Sequence, residues 1–150
     1  MHPIATLRVI SSFAFTEIFM DLIEINDTLL EYRPDNLILQ SFQARDRKLC
    51  IAFTCDGGER EDFAYIVEFT HAVCFHVPSV LYVPIQFRVS DAKLAKNYIP
   101  SISLDESEFG EKGLKLVLLC NEKALPVGYY IAAESVLSEW VSREKCDFVW

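Results

Sequence analysis

The sequence is short of bases, histidines, glycines and paired-cysteine motifs, and each shortage closes off a class of function. Lys and Arg number 14 against 22 Asp and Glu in 150 residues, a net charge of −8. Binding to nucleic acid depends on clustered cations set against phosphates, so no nucleic-acid partner is expected. No apolar run approaches the roughly 18 uncharged residues that a membrane-spanning helix needs, so no membrane partner is expected either. The three histidines are His2, His71 and His76. Cys74 and His76, two apart, would share one face of a strand, whereas His71 and His76 would diverge. A zinc site needs three or four ligands within bonding distance, and nothing completes this pair. No metal is expected.

Catalytic signatures are missing as well. There is no G-x-S-x-G elbow and no G-x-x-x-x-G-K phosphate cradle. Gly57-Gly58 is followed by Glu59, Glu61 and Asp62, the wrong charge for an anion. Cys55, beside the Asp56-Gly57-Gly58 turn, is the best isolated nucleophile, but a neighbouring carboxylate raises a thiol's pKa rather than activating it. The reading is of a chain with no catalytic residue and no cofactor.

The cysteines are Cys50, Cys55, Cys74, Cys120 and Cys146, an odd number with no C-x-x-C pair. Four sit among apolar neighbours, as reduced core thiols do in a reducing compartment. Residues 1–8, Met-His-Pro-Ile-Ala-Thr-Leu-Arg, show no basic region ahead of an apolar run, so no secretory signal is expected and the expected location is the cytoplasm.

What the chain does have is apolar material: 51% of its residues, with 13% aromatic, enough for a single globular domain over 1–150. Between Phe15 and Tyr32, apolar side chains at Phe15, Ile18, Phe19, Leu22, Ile23, Ile25, Leu29 and Leu30 fall on one broad side of a helix. Asn26-Asp27-Thr28 is a candidate break, and Pro34 a stop. From Asn36 the period changes to two. Residues 37–42 and 49–54 read as a hairpin, Asp56-Gly57-Gly58 as a turn, and Phe63 to Phe69 as a third strand. Residues 72–77 and 80–89 are β-rich but interrupted by Pro78 and Pro84. Residues 90–113 read as a long polar surface loop with a short helix around 92–97. A closing hairpin over 114–120 and 127–133 follows, then a short helix from Ser135 on the spacing of Val136, Leu137, Trp140 and Val141. The expected class is α+β: an antiparallel sheet of about five to seven strands packed against an N-terminal amphipathic helix.

The remaining signal is charge placement. Glu17, Asp21, Glu24, Asp27, Glu31 and Asp35 advance by three or four, which gathers them within an arc of about 120° opposite the apolar side. Arg33 alone opposes them, for a net of −5 over that stretch. Asp105, Glu106, Glu108 and Glu111 form a second acidic cluster. A compact acidic domain without catalytic motifs is similar in general character to bacterial immunity proteins, which neutralise a toxin. The expectation is therefore a non-enzymatic binding protein whose partner is a basic protein, such as a cognate toxin domain of nuclease type. Its expected contact residues are Glu17, Asp21, Glu24, Asp105, Glu106, Glu108 and Glu111. The competing expectation is a small-molecule or enzymatic pocket between sheet and helix, with Tyr65, His71, Cys74 and His76 around it.

Overall fold

The computed structural model describes residues 18, 20–34, 36–43, 46–77, 80–81, 85–91, 93, 95, 97 and 113–145, with the backbone alone at 36–43 and 80–81. Helix α1 covers residues 18 and 20–32. Ile18, Leu22, Ile25 and Leu29 repeat at four, three and four, and all are buried. That spacing places them on one narrow stripe, which drives the helix onto the core. The helix stops where Arg33 turns left-handed (φ 43°) and donates its N–H to Leu29 O at 3.0 Å. Pro34 cannot extend it.

Asn26 does not break the helix. Its Nδ2 donates to Phe87 O at 2.9 Å, and its Oδ1 accepts from Phe87 N at 2.8 Å. The side chain therefore satisfies both backbone hydrogen-bonding groups of one residue on the outer edge of a strand and pins α1 to it.

Among the described residues, nine antiparallel strands form two sheets rather than the single sheet of five to seven expected. They are β1 (Asn36–Gln43), β2 (Lys48–Thr54), β3 (Phe63–Thr70), β4 (Cys74–His76), β5 (Val80–Leu81), β6 (Gln86–Ser90), β7 (Lys115–Cys120), β8 (Pro126–Ala133) and β9 (Ser135–Ser142). The larger sheet runs β5-β1-β2-β3-β9 and the smaller β4-β8-β7-β6. A helix and antiparallel sheets place the chain in the α+β class.

The β1/β2 and β7/β8 hairpins form where the alternation places them. The β7/β8 link closes on Asn121, whose Oδ1 accepts from Lys123 N and Leu125 N at 2.9 and 3.1 Å. Asn is suited to that role because its short amide mimics a backbone turn. The segment from Ser135 is a strand, not a helix, since β3 offers it a full antiparallel partner from Phe63 to Thr70.

The two sheets are joined at a corner. Thr70 faces Ser135 in the larger sheet, and Cys74 faces Ala132 in the smaller. Between these pairs, His71, Ala72 and Val73 on one side lie against Ala133 and Glu134 on the other. One extra residue on one strand is the condition for a bulge and a bend, and His71 adopts a left-handed φ of 50° there. The bend is fastened by Val73 N to Ala132 O (3.0 Å) and Glu134 N to Thr70 O (3.1 Å). Thus β3–β4 and β8–β9 form one paired ribbon that belongs to both sheets.

The main core cluster joins the two sheets and the helix. Leu49, Ile51, Phe53, Val67 and Phe69 of the larger sheet join Phe87, Val117, Leu119, Ile131 and Ala133 of the smaller, with the buried stripe of α1. Phe53 and Phe87 meet edge to face at 6.2 Å, so the two sheets touch through aromatic rings. A second cluster lies on the opposite side of the smaller sheet: Leu116, Leu118, Cys120, Tyr130 and Ala132, with Ala95 fully buried against them. The short helix expected around 92–97 is present, and residues 98–112 of the expected loop lie outside the described residues. Residues 93, 95 and 97 are helical, and Ala95 helps cover that sheet.

Candidate functional site

The stripe that docks α1 leaves its other side to solvent. Glu24, Asp27 and Glu31 are exposed there and Asp21 is half-buried. No Lys or Arg occurs between residues 18 and 32. Asp27 and Glu31 stand in the half of the helix nearer its C-terminus, where the macrodipole favours cations and disfavours acids. The stability of the helix therefore gives no reason for them. Glu17 and the loop acids Asp105, Glu106, Glu108 and Glu111 lie outside the described residues, as does Asp35.

The acids are not alone on this face. Met20, Ile23 and Leu30 are 58%, 41% and 63% exposed. The broad apolar side read from the sequence included Ile23 and Leu30, but the core takes only the strict 18-22-25-29 stripe. Helical geometry sets Met20, Ile23 and Leu30 beside Asp27, so apolar and acidic side chains share one surface. A small open hollow of about 180 Å³ adjoins it, lined by Leu22, Ile23, Asn26, Phe87, Arg88 and Val89.

The residues considered for an enclosed pocket lie in three separate places. Tyr65 is buried in the larger sheet, 6.4 Å from the Phe53 ring and 5.0 Å from that of Trp140. Burial pushes its hydroxyl pKa up; hydrogen bonds with Ser138 and Thr28 oppose that, and the charge of Glu24 adds to it. His71 stands at the corner, exposed, with Nε2 3.8 Å from Glu134 Oε2. Beside it is a wide polar depression bordered by Asp46, Arg47 and Lys48. Cys74 and His76 do share a side of β4, and both reach Tyr130. The Cys74 Sγ to Tyr130 Oη distance is 3.4 Å, and the His76 and Tyr130 rings lie 6.5 Å apart. Tyr130 is pushed up to about 12, by burial first and then by its contact with Cys74. A hydroxyl held protonated in this way is a weak acid that stays neutral near pH 7. Cys50, Cys55, Cys74 and Cys120 are not joined in disulfides. Among the described residues no three His, Cys, Asp or Glu side chains gather as metal ligands would, and no helix is long and apolar enough to cross a membrane.

One cluster escaped the sequence reading because its members come from distant positions. Tyr32 at the end of α1 meets Trp140 of β9 edge to face at 5.0 Å. The guanidinium of Arg60 sits over Trp140 at 4.8 Å, Tyr32 at 5.3 Å and Phe63 at 5.7 Å. Its Nε is buried without a hydrogen-bond partner. The only sequence signal was the lone base within the acidic run Glu59-Arg60-Glu61-Asp62. No family model, curated protein or solved structure matches the chain.

Proposed function

We propose that this chain is a non-enzymatic inhibitor of immunity-protein type, which uses the outer face of α1 to cover the cationic site of a basic toxin domain such as a nuclease. The observation that carries the reading is the interleaving of exposed Met20, Ile23 and Leu30 with Glu24, Asp27 and Glu31 on a helix side without a single base. Apolar anchors supply contact area that excludes water, and the surrounding acids steer and select a basic partner. An exposed face that served only solubility would gain nothing from three large apolar side chains. Cysteines not joined in disulfides suit a reducing cytoplasm, where such an inhibitor would protect its own cell.

The test is calorimetric titration of the chain against a candidate basic toxin domain of nuclease type from the same source. The doubly reversed variant Glu24→Lys/Asp27→Lys is expected to bind at least about tenfold more weakly, with a shallower salt dependence. Leu30→Ser is expected to weaken binding by a similar factor, without changing that salt dependence. Unaltered affinity in both variants would remove α1 from the account.

A further inference from the structure

The Tyr32, Phe63 and Trp140 rings form a box around a cation, and that cation comes from a loop that turns through two exposed glycines. Residues 55–62 link β2 to β3. Gly57 and Gly58 both sit at positive φ (104° and 87°), and a Cβ at either would meet nothing within 4 Å. Asp56, Glu59, Glu61 and Asp62 point to solvent. The loop is fastened near its end by Phe63 N to Arg60 O and Arg143 N to Asp62 O, both at 3.0 Å. At its start Arg143 Nη2 donates to Cys55 O at 3.2 Å, and Glu61 N donates to Gly58 O at 3.3 Å; Gly57 and Gly58 themselves are exposed, and Arg60 carries its guanidinium onto the rings.

The way Arg60 is held matters. A buried guanidinium usually pairs with a carboxylate through its planar fork of donors. Here it lies over three rings, with its Nε unpartnered. Ring faces attract any cation of suitable shape and do not discriminate by hydrogen-bond geometry. A bound Arg60 can therefore be replaced by a second guanidinium without loss of a specific ion pair. The loop that carries Arg60 also carries four exposed acids, and Glu31 of α1 is next to Tyr32 in the sequence, so acidic residues neighbour the box residues along the chain.

We propose that the Tyr32–Phe63–Trp140 box is a guanidinium-binding site, filled by Arg60 in the free chain and taken over by an arginine of the basic partner as the Gly57-Gly58 segment swings out. The identity of the incoming arginine rests on the partner reading above; the box itself does not. The exchange makes Arg60 a competitor, which weakens the site for other cations until a partner arrives with enough contacts elsewhere.

The experiment titrates N-acetyl-arginine amide against the full chain carrying Trp150→Phe, so that Trp140 is the one fluorescent indole. Arg60→Gln in that background is expected to give a saturable change in Trp140 emission, at least tenfold tighter than the chain that keeps Arg60. Adding Tyr32→Ala is expected to abolish it, and N-acetyl-lysine amide at equal concentration is expected to respond more weakly. Equal responses to both amides would show charge screening and overturn the proposal. So would a folded Arg60→Gln chain with no response. If Arg60→Gln and Arg60→Met both fail to fold by circular dichroism, Arg60 cannot leave the box and the exchange is again overturned. Because the probe requires no toxin, a failed toxin titration with a working box overturns the partner reading alone.

Discussion

The two sheets solve the same problem differently. The larger buries its bulky side chains on one side: Val67 and Phe69 of β3 and Val136 of β9 are buried, Glu68 is turned away and Leu137 is 60% exposed, while the small Ala52, Thr54 and Ala64 are buried on the other side. The smaller is apolar on both sides. In β7 all five residues from Leu116 to Cys120 are buried, Val117 and Leu119 facing the shared core and Leu116 and Leu118 facing the second cluster. Antiparallel sheets often leave one face wet, and a near-continuous apolar strand signals cover on both. The cover here includes Ala95, from a stretch that reads as polar. A strand's own composition can thus report what lies over it better than the covering segment does.

Mutations can test that contrast. The largest effect should come where the sheets meet: Phe87→Ala is expected to cost about 3–5 kcal/mol in urea unfolding, since its ring packs on Phe53 and Phe69. Next, Leu116→Ala and Leu119→Ala should each cost about 2–5 kcal/mol although they point in opposite directions. A loss below about 1 kcal/mol at Leu116 alone would mean that the outer side of β7 is wet, and the contrast would fail.

Alkaline pH separates the sheets through their buried tyrosines. The Tyr130 hydroxyl is pushed up to about 12 in the fold and is near 10 in an unfolded chain. Its contribution is therefore complete below about pH 10 and lost as pH rises toward 12, because the unfolded state releases its proton first. Tyr130→Phe should flatten that decline. Tyr65→Phe should remove a separate part, since burial raises Tyr65 too. Both slopes are read from unfolding midpoints against pH. The smallest effect is expected at Leu137→Ser, within about 0.5 kcal/mol, as for other exposed sites. A larger loss would show that the outer side of β9 is also covered.

Local pattern carried a good part of this fold into the sequence. The 18-22-25-29 stripe of α1, the alternation of β2 and β3, the glycine turn and the β7/β8 hairpin are each written in neighbouring residues. The division into two sheets is not, because it depends on a bulge at His71–Val73 and on which distant strands pair. Val136, Leu137, Trp140 and Val141 suit a helix as well as a strand, and only the proximity of β3 decides between them. Asn26 looked like a breaker because its partner, the Phe87 backbone, lies 61 residues away. The acidic side of α1 was legible from spacing alone. The exposed Met20, Ile23 and Leu30 were not, since burial depends on how much of a helix the core accepts. The Arg60 box combines residues 32, 60, 63 and 140, and no local window holds them.

The corner ribbon has a consequence for how this protein comes apart. Two sheets joined by ordinary loops can melt separately, each as its own cooperative unit. Here the same two strands are hydrogen-bonded on both sides of the bend, with only Glu134 between β8 and β9. Fraying that begins in one sheet runs directly into the ladder of the other, as a zip passes a bend in cloth. A substitution that loosens the ladder on one side of the corner is therefore expected to lower the unfolding midpoint read on the other.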